Sequence, residues 1–317
     1  MASEAHIAGQ QERMILPESY SRKYVYDQAG NRTRMESMDG ITEYIYDNCN
    51  RLQTTVTNGK RTSFSYDACG NLLSDGHQSY SYDELNRLSS VTTADGNTFV
   101  HHYDAEGLRH EVEEDGRLVQ FIFNHKRQII TEESSDIGIT RYLRGLDLIG
   151  SDIENARTYY HYVSDTNGSI AYILNKQSKI ENEYQYDAFG NIISSKENIA
   201  NIFCYCGEQL DAGTAQYYLR ARFYNPVIGR FSQQDTYLND GLNLYAYCQN
   251  NPVSFYDPTG HNVEPAIEHP ELPAQQTPQY PMVIPQPGDL QPAIRNNDYC
   301  IIVIRYCRCR ILKCSKQ

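Results

Sequence analysis

The residues of this 317-residue chain that could do chemistry gather near its end, in Tyr218 to His261 (YLRARFYNPVIGRFSQQDTYLNDGLNLYAYCQNNPVSFYDPTGH). Three steps into proline (Asn225-Pro226, Asn251-Pro252, Asp257-Pro258) and three glycines punctuate a run otherwise rich in Tyr and Leu. Proline presets φ near about −65° and glycine accepts positive φ, so Asp257-Pro258-Thr259-Gly260 is predicted to be a tight turn that aims the Asp257 carboxylate one way. A carboxylate so held either fixes its turn or does acid–base work. The nine cysteines (49, 69, 204, 206, 248, 300, 307, 309, 314) are odd in number and read mostly as free thiols. Cys204-Tyr205-Cys206 lacks the two-residue gap of a redox or zinc pair and is expected to put both sulfurs on one strand face. No metal or cofactor is expected.

Something upstream must position these groups, and the chain is repetitive there. Aromatic-x-aromatic-Asp recurs as Tyr24-Val-Tyr26-Asp27, Tyr44-Ile-Tyr46-Asp47, Phe64-Ser-Tyr66-Asp67, Tyr80-Ser-Tyr82-Asp83 and His101-His-Tyr103-Asp104. It continues as Phe121-Ile-Phe123-Asn124, Tyr160-His-Tyr162 and Tyr184-Gln-Tyr186-Asp187. The second aromatics at 26, 46, 66, 82, 103 and 123 are spaced by 20, 20, 16, 21 and 20 residues. Residues two apart share one face of a strand, so each pair predicts a strand with its aromatics on one side. The Asp and a following Gly-Asn or Asn predict an Asx-type turn into a second alternating run, one hairpin per repeat. His101, His102 and His161 are read as tyrosine substitutes in this wall, and Glu111 to Asp115 as a solvated strand and turn. No sustained helical stripe is present, so the fold class is all-β.

Composition narrows the function. With 27 Tyr, 9 Phe, no Trp and a mean hydropathy of −0.63, tyrosine dominates the apolar content. A formal charge of −12 argues against a nucleic-acid binder. The N-terminus lacks an apolar stretch of signal-peptide length, and Ile301 to Ile304 is too short for a membrane span. The expected setting is therefore a soluble chain, cytoplasmic before any export.

The YD signature followed by Gly-Asn resembles the YD repeats of RHS proteins, found in bacterial polymorphic toxins, insecticidal toxin complexes and teneurins. Tyr142-Leu-Arg-Gly145, His161-Tyr-Val-Ser-Asp-Thr-Asn-Gly168, Tyr186-Asp-Ala-Phe-Gly-Asn191, Tyr218 to Pro226, Gly229-Arg-Phe231, Asn243-Leu-Tyr245 and Asp257-Pro-Thr-Gly260 are similar to the RHS repeat-associated core. The resemblance covers roughly residues 20 to 260 and implies a sheet spiralling round a hollow, a core plug at its end and an effector behind it. The implied organisation is 1–19 disordered or partial repeat, 20–141 repeats, 142–261 core, 262–295 Pro-rich linker and 296–317 basic, Cys-rich tail. Family shells carry more repeats, so this chain is expected to be the final turns of a shell, a fragment or a truncated copy.

The resemblance also implies chemistry. Asp235 and Asp257 match the family's two aspartates by their settings, Gly-Arg-Phe-x-x-x-Asp and Asp-Pro-x-Gly, and Arg222 matches its arginine. In insecticidal toxin complexes this region is an aspartyl-type self-protease. Here two carboxylates would share a proton, one activating water and the other protonating the leaving amide, with Arg222 stabilising the remaining charge. The cut would fall after His261, freeing Asn262 onward. Thr236 and His261 depart from the residues common in the family. The opposing reading leaves Asp257 and Asp235 as turn caps and Arg222 in a structural ion pair.

Eight of twelve prolines lie in Glu264 to Pro292, which predicts an extended disordered linker. Asn296 to Gln317 carries five basic residues against one acidic, and reads as a remnant of an effector or a small cationic one. Two functions are open. One is the closing part of a secreted or surface toxin shell whose partners are its own C-terminal segment or an encapsulated effector, other shell parts and an immunity protein. The other is a non-enzymatic YD-repeat module binding glycans or protein.

Overall fold

Each repeat builds the same unit. The Asp or Asn after the second aromatic accepts backbone N–H groups two and four residues on, as at Asp83 from Leu85 and Arg87 (both 2.9 Å) and Asp187 from Phe189 and Asn191 (both 2.9 Å). The residue three past it takes positive φ every time: Gly30, Asn50, Gly70, Asn86, Gly107, Arg127, Gly168, Ser178 and Gly190. This is the Asx turn that the sequence predicts, with Gly or Asn at most of the left-handed positions. Five residues past the Asp or Asn, the chain turns inward at Leu52, Leu72, Leu88, Ile129 and Ile170, all buried. Arg32 and Arg109 hold that position in two repeats and are buried as well.

The computed structural model describes residues 21–145, 147–155, 157–211, 213–237, 241–266 and, for the backbone, 300–305. The segment read as a partial first repeat (1–19) and most of the linker and basic tail lie outside the described residues. Strands β1 (Ser21–Tyr26), β2 (Arg32–Ser37), β3 (Gly40–Tyr46), β4 (Leu52–Thr57) and β5 (Lys60–Ser63) form an antiparallel meander. From Ser65–Tyr66 to Ile192–Glu197 the meander continues through fourteen more strands, running past residue 142 without a break. Phe64 joins the two sheets: its N–H still reaches Gln53 (2.9 Å), whereas Tyr66 already pairs with Leu72.

The register shifts by one at the second aromatic, between Val25 and Tyr26, Ile45 and Tyr46, His102 and Tyr103, and Gln185 and Tyr186, whereas in the Tyr160–Tyr162 repeat it falls later, between Val163 and Ser164. Such a bulge bends the strand and increases its twist. It also aims the second tyrosine backward. Tyr46, Tyr103 and Tyr186 donate through their hydroxyls to the carbonyls of Arg32 (2.9 Å), Leu88 (2.8 Å) and Ile170 (2.9 Å) in the preceding repeat. The first aromatic points into the core, as Tyr24, Tyr44, Tyr80, His101, Phe121, Tyr142 and Tyr184 all do. The residue between faces out, and Ile45, Ile122 and Leu143 are exposed. His102 and His161 are exposed on that outer face, so of the three histidines only His101 substitutes for a tyrosine. Strand alternation places the others opposite.

The wall comes round on itself. Arg22 of β1 pairs with the buried Asp187 carboxylate, and the Tyr24 ring meets Phe189 edge-on at 5.0 Å. The Arg32 guanidinium lies over both rings, 4.4 Å from Tyr24 and 4.3 Å from Phe189. A meander whose first strand meets its last turn is a spiralling sheet, in keeping with the predicted all-β fold.

A compact tail-end segment plugs one end of it. The strands Gln209–Asp211, Gln216–Tyr218, Phe223–Asn225 and Arg230–Phe231 form a four-stranded sheet, and Phe255–Tyr256 pairs with Glu264–Pro265. Its tyrosines fasten to the row of Asx turns: Tyr245 to the Gly70 carbonyl (2.8 Å), Tyr217 to Gly190 (2.9 Å), Tyr224 to Phe189 (2.7 Å) and Tyr205 to Ala188 (2.9 Å). Asn250 holds Gly30 (2.8 Å) in the same way. Cys204 precedes a 3-10 turn at Tyr205–Gly207 and Cys206 lies inside it, instead of both lying on one strand face as the sequence suggested. Positive φ at Cys206 and Gly207 breaks the strand there.

Candidate functional site

The Asp257-Pro258-Thr259-Gly260 turn docks on the loop between Tyr218 and Phe223. Asp257 Oδ1 accepts the N–H groups of Thr259 (3.0 Å) and Gly260 (2.8 Å) and the Thr259 hydroxyl (3.3 Å). The Thr259 carbonyl accepts from Ala221 N–H (3.2 Å). Gly260 has φ +77°, and a Cβ there would stand 2.5 Å from the Leu219 carbonyl oxygen and 2.9 Å from Arg222 N. Only glycine fits. The turn reuses the repeat's device, an Asp carboxylate closing a loop with a left-handed residue three positions on.

Arg222 gathers the rest. Its Nε donates to the Gly260 carbonyl, Nη1 to the Leu244 carbonyl (3.1 Å) and Nη2 to Asp235 Oδ2 (2.7 Å). The same Nη2 stands 3.9 Å from Asp257 Oδ2. The guanidinium lies 3.6 Å above the Phe231 ring, and all three charged groups are buried. Asp235, Asp257 and Arg222, which the resemblance singled out, are therefore brought together, with the two carboxylates joined through one guanidinium nitrogen. Burial raises the Asp257 pKa above the usual carboxylate range, and the turn N–H groups and Arg222 oppose it only in part.

His261 belongs to the same cluster. Its Nδ1 and Asp235 Oδ1 are 2.8 Å apart, and its ring tilts against Tyr237 at 4.5 Å. Asp235 Oδ1 also accepts the Tyr237 N–H (2.8 Å). Asn262 N–H donates to the Thr259 hydroxyl (3.0 Å), so the His261–Asn262 step sits directly on the turn. The His261 contact spans 26 residues of sequence and has no local signature. Both carboxylates thus cap their own turns, Asp235 at Tyr237 and Asp257 at Thr259 and Gly260, and both stand beside the Arg222 guanidinium.

A second charged cluster escaped the sequence reading. Arg109 and Asp211 form a buried ion pair, with His101 Nε2 3.7 Å from the same carboxylate and its ring stacked on Phe223 at 5.5 Å. Burial first, and Arg109 second, hold His101 down to about 4, so it is neutral near pH 7. Against the burial penalty, Arg109 holds Asp211 below the usual carboxylate range. The cluster bolts the plug to the wall.

The family described as Teneurin YD-shell matches residues 12–253, about three quarters of the chain. This chain is a member of the teneurin YD-shell family. Among curated relatives of this YD-shell chain, tRNA nuclease WapA of Bacillus subtilis (strain 168) is 34% identical over 254 residues, covering 75% of this chain and 11% of WapA. Double-stranded DNA deaminase toxin A of Burkholderia cenocepacia (strain H111) is 25% identical over 336 residues, covering 82% of this chain and 24% of the toxin. A solved structure of TcdB2-TccC3-Cdc42 aligns with a TM-score of 0.49 at 17% identity, over 75% of this chain and 17% of that one. The YD-shell chain spans about a tenth of WapA's length, so the activities in those names belong to the longer proteins. Among the described residues, no helix is long and apolar enough to cross a membrane.

Proposed function

We propose that this YD-shell segment is the closing part of an exported toxin shell and that it cuts its own chain after His261, detaching the segment from Asn262 onward. The observation that supports this reading is the Arg222 bridge: two buried carboxylates on one guanidinium, beside the His261–Asn262 peptide. Burial favours the protonated form of Asp257, which makes it the acid, and leaves Asp235, held by Arg222 and His261, as the partner that takes the proton from water. Asp235 takes a proton from water as the water oxygen attacks the His261 carbonyl carbon, and Asp257 gives one to the Asn262 nitrogen as the C–N bond breaks. The products are a carboxylate at His261 and an amine at Asn262. Arg222 stabilises the negative charge left on the pair. The partners under this reading are the chain's own C-terminal segment, as cargo or as its remnant, and the other parts of a longer shell.

A C-terminally tagged chain tests it. The reading expects a tagged fragment that is lost in Asp257→Asn and in Asp235→Asn, with both variants keeping the wild-type circular dichroism. An uncut wild type, or cutting that survives both substitutions, contradicts it.

A further inference from the structure

We infer that Cys300–Arg305 is a docking strand that adds to the outer edge of β1 and pins the C-terminal segment to the wall. It runs antiparallel to β1 over six residue pairs, from Ser21 opposite Arg305 to Tyr26 opposite Cys300. The other side of β1 is taken by β2, with Lys23 opposite Glu36 and Val25 opposite Arg34. The strand therefore pairs with the row of N–H and C=O groups on the side of β1 away from β2, the kind of template to which extended chain adds.

The sequence favours this segment for the task. Cys300-Ile-Ile-Val-Ile-Arg305 has four consecutive β-branched residues, one charge, no proline and no glycine, whereas the preceding Glu264 to Pro292 carries eight prolines, each without a ladder donor. The tether does not limit reach. The 33 residues between Ala266 and Cys300 span up to about 110 Å when extended, and being covalently joined they keep the strand at high local concentration. β1 is also where the wall closes on Asp187, so the added strand lies along the seam. The inference concerns the uncut chain and does not depend on the proposed cut; after such a cut, the strand would keep the fragment on the wall.

Amide hydrogen exchange on the full chain tests it, read at residues 21–26 and, as a control, at the other end strand, 192–197. The comparison is with the double substitution Ile302→Pro and Val303→Pro, which removes a ladder donor whichever of the two faces β1. Exchange in 21–26 is expected to quicken at least tenfold in the variant, with 192–197 unchanged. A chain ending at residue 295 is expected to show the same loss and to recover protection when a synthetic peptide of residues 298–307 is added. Equal exchange at 21–26 in wild type and variant overturns the inference, as does equal loosening of both end strands. Protection that disappears on dilution together with a dimer seen by light scattering also overturns it, because the strand would then come from a second copy.

Discussion

The DPTG turn was readable because its signals are local. Asp, Pro and Gly within four residues dictate the Asx closure, and the structure shows it at Asp257. What brings Asp235, Arg222 and His261 to that turn is long-range packing, which no spacing encodes; the resemblance alone pointed to the first two as partners of Asp257. Gly260 is the position that couples turn to site. Gly260→Ala is expected to destabilise the chain by about 2 kcal/mol or more, since it meets both a left-handed backbone and the Leu219 carbonyl, checked by urea unfolding. His101 makes a second residue-scale test. Its pKa of about 4 in the fold lies below the ordinary histidine value of about 6.5, so between those values the unfolded chain holds a proton that the native chain lacks. Stability is thus full above about pH 6.5 and falls as pH drops toward 4, by up to about 3 kcal/mol from this group. His101→Phe, which keeps the stack on Phe223, is expected to flatten that part of the pH profile.

At the scale of the element, the hairpin and its turn came directly from the Tyr-x-Tyr-Asp period, because strand alternation and Asx chemistry act within a few residues. The residue five past the Asp was harder to read. By sequence alone Arg32, Arg51 and Arg87 look alike, yet they do different things. Arg51 and Arg87 sit four past their aspartates and fold back on them, Arg51 Nε to Asp47 at 2.6 Å and Arg87 to Asp83 at 2.7 Å. Arg32 and Arg109 sit one residue later, in the position that is Leu or Ile in other repeats, and are enclosed by aromatic rings. One residue of offset turns a solvent-side ion pair into a core arginine. The two core arginines are expected to differ under mutation. Arg32→Leu restores the repeat's usual residue and is expected to change stability by no more than about 1 kcal/mol. Arg109→Leu strands the buried Asp211 carboxylate and is expected to cost about 3–5 kcal/mol, and thermal or urea unfolding of the two variants separates them.

At the scale of the whole molecule, the wall depends on closure as well as on pairing. The sequence period counted the hairpins but held no sign of where the first meets the last, since Arg22 and Asp187 lie 165 residues apart. That contact leaves a nearly fully buried carboxylate facing an arginine, so Arg22→Ala is expected to cost on the order of 3 kcal/mol. The same variant is expected to raise hydrogen exchange in 21–26 and 187–191 before the middle strands, which exchange mass spectrometry reads directly. Closure also bears on the glycan-binding alternative. The first aromatics Tyr24, Tyr44, Tyr80, Phe121, Tyr142 and Tyr184 are buried, so those rings do not form an outward tyrosine face for stacking on sugars. The buried tyrosines of the wall face inward, the plug is fastened to its turns, and the two buried carboxylates lie within the plug beside the His261–Asn262 step.

The most direct test is the intact mass of the purified chain, together with sequencing of any new N-terminus. The account expects two masses that sum to the chain plus one water, with the smaller beginning at Asn262, and a single uncut mass for Asp257→Asn. A wild-type chain that stays whole over the pH range in which it is folded, or a new end anywhere else, contradicts it.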